Sequence, residues 1–367
     1  MQLSTPSNPD HLAFATAVDR AVSSPKTSHV WSPYSVASVL ALLATGARER
    51  TLEQLLRLLG PHPKDQLDVL DTAVTPEEGL DLAVLNGLYL RKDLQVRPEF
   101  TERVRARVGA EITGVDFAGD PEGVRTAINR RVSEVTRGII DELLSPGTVH
   151  PNVRMALVNA LWVKMLWTDP FVPDQTRNTR FHAPGGTHKV PTMHKVEELP
   201  YARARGWSMV SLAGEYGLTM DVLLPDKTAS TPPTPTAEDL TRLYRRRRSS
   251  RVSLALPRFS VETDTGLLPF LASLGVRDLG TADARFDGIS DTPLEVDTLV
   301  HQSVLRVNEK GAEGAAATAA IMVMSAVVQP EPVRFVVDRP FVFVLRRHGA
   351  ILFLGRITDP VDPGPAD

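Results

Sequence analysis

Apolar residues recur at two periods along the chain, and the switches between them mark out its elements. Leu12, Phe14, Ala15 and Val18 fall at helical spacing, which predicts an amphipathic first helix over 8–22. Ser32 followed by Pro33 is an N-cap with proline at the first helical position. The pattern then predicts a helix over 34–44 that stops at Gly46, and another over 51–59, capped by Thr51 and ended by Gly60 and Pro61. Further helices are predicted over 98–108, 121–136 and 240–248. Alternating or unbroken apolar runs predict strands over 80–90, 111–117, 153–163, 181–193, 207–212 and 218–224. Others follow over 252–259, 294–307, 333–337, 341–345 and 351–357. The Pro/Thr-rich stretch 229–236 reads as an exposed loop with strands continuing on both sides. No internal repeat is visible.

One stretch fits neither period. Val307 to Val328 reads VNEKGAEGAAATAAIMVMSAVV, opening on Glu309, Lys310 and Glu313 and then running uncharged from 314 to 330. Ala is the best helix former, so a buried helix is one reading. A membrane span needs roughly 20 apolar residues, and this run is too short. The third reading is a strand held in reserve as a loop. As a strand, Ala312, Gly314, Ala316, Thr318, Ala320, Met322 and Met324 share one face, while Glu313 lies on the other. The small side chains could slide between two existing strands. No proline interrupts 311–329, so every ladder donor is kept.

The flanks decide among these readings. VNEKGAEGAAATAA (307–320) resembles the hinge of the reactive-centre loop in inhibitory members of the serpin (serine protease inhibitor) family. FVVDRPFVF (335–343) is similar to the family's C-terminal signature. SPYSVASVLALLATGARERTLEQLLRLLG (32–60) resembles its second and third helices, and NALWVKMLWTDPF (159–171) its long central strand and following turn. The likeness runs in order along nearly the whole chain. It implies an α+β fold of three β-sheets and about nine helices, with an exposed reactive-centre loop at about 309–330. Length alone would suggest two domains, but no break in composition supports a split. The resemblance therefore implies a single domain over 1–367.

The resemblance also assigns residues. The hinge is Glu309, Gly311, Ala312, Glu313, Gly314, Ala315, Ala316, Ala317 and Thr318. Trp167, Arg258 and Glu309 match the breach, where loop insertion begins, with Arg258 and Glu309 as an ion pair. Ser32, Ser35, Asn159 and His301 match the shutter, a polar cluster beneath the central sheet. Plainer readings stand beside these: an ordinary surface ion pair, a helix cap, a serine inside a helix, two satisfied polar residues. Two hinge positions depart from the usual pattern, Ala312 where Thr or Ser is common and Gly314 where Ala is common. Both stay small. Counting from Glu309 by the family spacing reaches Ser325, while counting back from Pro340 lands slightly later. Side-chain chemistry favours Met324–Ser325 as the scissile bond. The implied function is suicide inhibition of a serine protease through a covalent acyl complex, with an elastase-, chymotrypsin- or subtilisin-like target. The rival is a non-inhibitory serpin acting as chaperone or carrier.

Composition narrows the remainder. The 367 residues are 42% hydrophobic and 23% charged, ordinary for a globular chain. Net charge is −3, which argues against a general polyanion or nucleic-acid binder. There is no Cys, hence no disulfide or thiolate metal site. The nine histidines lack metal-ligand spacing. No G-x-S-x-G, H-E-x-x-H, G-x-G-x-x-G or P-loop is present, so no enzyme, no metal and no cofactor is expected. No signal peptide or membrane span is visible, which places the chain in the cytoplasm if it is complete, as a monomer. Arg outnumbers Lys 33 to 8, pointing to a high-GC bacterial source. The run Arg245–Arg248 reads as a solvated helix end, with a polyanion cofactor site as the alternative.

Overall fold

The computed structural model describes residues 8–24, 26–226, 234–312 and 331–365. The N-terminal third is mostly helical: α1 (Pro9–Val22), β1 (His29–Trp31), α2 (Pro33–Gly46), α3 (Glu49–Leu59) and α4 (Pro63–Val74). Then come β2 (Leu82–Arg91), α5 (Pro98–Arg105), β3 (Ala110–Val115), α6 (Pro121–Val135), β4 (Met155–Val163) and β5 (Met165–Leu166). The middle is β6 (Arg177–Ala183), β7 (Gly186–Ala204), β8 (Trp207–Ala213), β9 (Thr219–Pro225) and α7 (Ala237–Arg246). The last third holds β10 (Arg248–Pro257), β11 (Phe259–Gly266), α8 (Leu268–Ser273), β12 (Thr298–Val307), β13 (Gly311–Ala312), β14 (Val333–Val336), β15 (Phe341–Arg347) and β16 (Ala350–Ile357).

Two hydrogen-bonded sheets result. Nine strands run β1-β16-β15-β9-β8-β7-β10-β14, with β6 also on β7; seven run β3-β2-β4-β12-β13-β5, with β11 on β12. The three expected sheets appear as two because the 19-residue β7 pairs in turn with β6, β10 and β8. One strand thus carries the ladder through what would otherwise be a boundary. The main core lies between the sheets and under α2, whose residues are almost all buried. A second core forms where α6, through Val124, Ile128 and Val132, covers the outer face of β2 and β4.

Several boundaries differ from the sequence reading. Helix α3 starts at Glu49 with Arg48 at the cap position. Thr51 lies inside it, where its hydroxyl accepts from the Arg285 amide. The stretch 181–193 straddles the turn of a hairpin rather than forming one strand, running from the end of β6 through Pro184 and Gly185 into β7. Helix α7 begins three residues early because Thr236 and Asp239 form a capping box. It also ends at Arg246, so Arg248 belongs to β10 and the buried Arg247 folds back to donate to the Tyr244 carbonyl. β12 begins at Thr298, not Leu294. β1 and α8, of three and six residues, were too short to show a period, and the 12-residue α4 was also missed.

Candidate functional site

The site lies in the seven-stranded sheet, where β4 and β12 run side by side. Their parallel pairing covers only four positions, Thr298↔Ala156 through His301↔Asn159. Beyond these, β4 stays bonded to β2 and β12 to β11 on their outer edges. Their facing edges, Ala160–Val163 and Gln302–Arg306, carry no pairing among the described residues. At the far end the slot is closed by β13, which pairs Ala312 with both Val307 and Met165. Gly311 is required there, because a Cβ would overlap the Met165 carbonyl oxygen.

Trp167, Arg258 and Glu309 meet at this closed end. Arg258 stands where the chain leaves β10 for β11, at the junction of the two sheets. Its Nε and Nη2 donate to Glu309 Oε1 at 2.8 and 2.6 Å, and the Thr176 hydroxyl donates to the same oxygen. Glu309 is 1% exposed and Arg258 11%, which removes the surface-pair reading. The Trp167 indole donates to the Asn308 carbonyl at 3.0 Å, and the Trp167 and Phe171 amides donate to the Lys310 and Glu309 carbonyls. These bonds clamp the turn from β12 to β13. Breaking one partner of a buried pair costs about 3–5 kcal/mol. Glu309→Gln should therefore lower native stability by about 3 kcal/mol in urea unfolding. A loss under about 1 kcal/mol would mark the pair as energetically surface-like.

Ser32, Ser35, Asn159 and His301 meet at the other end. His301 Nε2 accepts from the Ser32 amide at 2.9 Å and lies 2.9 Å from the Ser303 hydroxyl. Because an amide donates to Nε2, the proton of the neutral ring sits on Nδ1. Ser32 Oγ accepts from the Ser35 amide, capping α2. Asn159 Nδ2 donates to Asn86 Oδ1. His301 Nδ1, Asn159 Oδ1 and Ser35 Oγ are buried without a partner among the described residues. Asn86, Ser303 and Thr176 were missed from sequence. Asn86 had a signal, a lone amide at a buried position of LAVLNGLYL, whereas Thr176 had none. The hinge residues Glu313, Gly314, Ala315, Ala316, Ala317 and Thr318, and the bond Met324–Ser325, lie outside the described residues.

Burial depresses the His301 pKa to about 4, and that of His11 likewise to about 4. Above pH 6.5 both states of the protein hold these rings neutral. Below it the unfolded chain gains protons that the native fold refuses down to about pH 4, so stability falls with falling pH. Each ring should cost about 2 kcal/mol by pH 5. Unfolding midpoints at pH 7.5 and 5 should show the drop, and His301→Gln should reduce it by about half; a pH-independent midpoint would contradict both shifts.

No group of three or more His, Asp or Glu suited to a metal exists among the described residues. No helix there is long and apolar enough to cross a membrane. The profile of the serpin (serine protease inhibitor) family matches residues 7–360. Leukocyte elastase inhibitor of Bos taurus is 34% identical over 350 residues, covering 90% of this chain and 92% of that protein. The crystal structure of Serpin48 from the insect Tenebrio molitor superposes with a TM-score of 0.82 at 26% identity, covering 96% and 98%. Human thyroxine-binding globulin complexed with thyroxine gives a TM-score of 0.84 at 24% identity, covering 96% and 98%, a likeness of fold alone. The slotted sheet, the clamped turn above it and these similarities over nearly the full length lead to one conclusion: the chain belongs to the serpin family.

Proposed function

We propose that this serpin is a suicide-substrate inhibitor of serine proteases, acting as a single-domain monomer whose segment 309–330 is the bait. A protease attacks Met324–Ser325 and forms an acyl-enzyme. The cut segment then enters the slot between β4 and β12. About 14 residues at ~3.3 Å each carry the enzyme roughly 45 Å, before water can release it. The serpin supplies no catalytic group. The stored energy is that of a fold that keeps a strand out of a sheet able to accept it.

The observation that carries this reading is a coincidence of registers. Ala312 already pairs with Val307 on one side and Met165 on the other. Six residues further on is Thr318, and six residues back from Val307 and Met165 are His301 and Asn159. Those two are each other's partners in the independent β4–β12 pairing. A strand continued from β13 therefore fits both walls without a bulge. Leu305, Ser303, His301 and Leu299 are alternate, buried positions of β12. Gly314, Ala316, Thr318 and Ala320 would face them, small enough to enter. Glu313 would lie on the opposite face between Arg306 and Lys164. Thr318 Oγ would arrive beside the two polar atoms left unpartnered, His301 Nδ1 and Asn159 Oδ1.

The bond lies in IMVMSAV, without Arg or Lys, so a protease whose specificity pocket holds an acid is not the target. An elastase-, chymotrypsin- or subtilisin-like enzyme fits. Incubation with such enzymes should yield an SDS-resistant 1:1 complex, with mass spectrometry placing the cut at Met324–Ser325, and trypsin should yield little. Cleavage without complex across several such proteases would favour the non-inhibitory alternative, a chaperone or carrier.

A further inference from the structure

We infer that a cationic groove beside the C-terminal base of the 309–330 segment is a docking surface for an acidic face of the target protease. The inference rests on the inhibitory reading above. Two adjoining hollows of about 460 and 410 Å³ share Tyr201 and Arg203. The first is walled by the whole of β14 with Arg339, the second by the end of α7 and the start of β10. Arg203, Arg246, Arg248, Arg334 and Arg339 line them against two carboxylates, Asp226 and Asp338. Those two acids are already engaged, by Arg203 at 3.0 Å and Arg339 at 2.8 Å. Arg246, Arg248 and Arg334 are exposed and meet no carboxylate within ion-pair distance among the described residues. The groove thus carries a net charge of about +3 on a chain whose total is −3.

The sequence reading treated the Arg245–Arg248 run as a solvated helix end. The fold splits it: Arg247 turns inward, and Arg246 and Arg248 join Arg203 and Arg334 from distant parts of the chain. Position selects the partner. β14 begins at Val333, three residues after the bait segment, so at ~3.3 Å per residue one wall of the groove starts roughly 10 Å from it. A protease held on the bait stands over this surface. Fixed like-sign charge in a cleft raises association rates with an oppositely charged partner by about 10–10³-fold at low salt, and added salt screens it.

The test uses the full chain with Arg246→Gln, Arg248→Gln and Arg334→Gln combined, exposed positions whose loss leaves no buried partner. The probe is subtilisin, native and with its lysines succinylated to make its surface acidic without touching its active site. The wild-type inhibitor should trap the succinylated enzyme at least about tenfold faster than the triple variant does at low salt. The difference should vanish at about 0.5 M salt, with stoichiometry of inhibition and melting midpoint unchanged. Equal association rates for wild type and variant would overturn the groove while leaving the inhibitory reading intact. Absence of any SDS-resistant complex with either enzyme would overturn the inhibitory reading and the groove's role with it. Acceleration of both enzymes by added polyphosphate, lost in the variant, with no preference for the acidic enzyme, would reassign the groove to a polyanion and overturn the protease docking.

Discussion

Cutting the chain between residues 321 and 328 should raise its melting midpoint by more than about 10 °C. Most proteins lose stability when nicked, so the sign alone is diagnostic. The facing edges Ala160–Val163 and Gln302–Arg306 hold ladder groups with no strand partner across the slot among the described residues. In the proposed mechanism the intact segment is held at its far end by its continuity with β14 in the other sheet, which would keep the strand from entering. Cleavage removes the tether. Insertion breaks the four-position β4–β12 pairing and replaces it with two longer antiparallel ladders, one on each wall. Each added bond contributes about 0.5–1.5 kcal/mol net. At about 2.1 cal/mol/K per residue, the transition entropy of 367 residues makes a 10 °C rise equivalent to ~8 kcal/mol. Calorimetry of intact protein, and of protein cut by a protease that acts only within 321–328, measures the shift. An unchanged or lower midpoint would show that the native state stores nothing and that no trap operates.

The slot itself was not legible in the sequence, although its parts were. β4 reads MALVNALWV and β12 TLVHQSVLRV, and both were predicted strands because the apolar runs are long. A run of that kind states that a strand is buried. It cannot state which edge is bonded. The gap between Ala160–Val163 and Gln302–Arg306 is a relation between residues some 140 positions apart. Short elements were lost for a related reason: β1 has three residues and α8 six, too few to show a period. Thr51 looked like a cap because its type fits, yet its hydroxyl serves the Arg285 amide from another part of the chain. Arg247 was lost inside a run of four like residues, of which only the fold shows that one is buried. Trp167, Arg258 and Glu309 come from three separated stretches, and the resemblance alone put them together. The geometry then supplied what resemblance could not, namely Thr176 on the shared carboxylate oxygen and Ser303 and Asn86 in the polar cluster.

Thr318→Arg should convert the protein from inhibitor to substrate, cutting the yield of trapped protease at least tenfold while leaving bait cleavage intact. The register continued from Ala312 brings position 318 between His301 and Asn159, both 2% exposed. A guanidinium there meets a ring held neutral by burial and an amide, with no carboxylate among the cluster's partners, so it enters unpaired. Burying such a charge costs several kcal/mol even after relaxation. Insertion should therefore stall about six residues beyond Ala312, with the acyl-enzyme carried only roughly 20 Å at ~3.3 Å per residue. The protease would keep its working geometry and hydrolyse free. The proposed bait bond, Met324–Ser325, is six residues from the substitution, so the first cut should proceed at the normal rate. Thr318→Ser keeps a hydroxyl for His301 Nδ1 and Asn159 Oδ1 and should trap as well as wild type. Ala316→Pro, two residues earlier on the same face opposite Ser303, removes a ladder donor and should also yield substrate. The readout is the stoichiometry of inhibition together with the melting midpoint of the cut protein, which in Thr318→Arg should rise less than in wild type. Full trapping by Thr318→Arg would mean that the segment does not enter between β4 and β12 in this register.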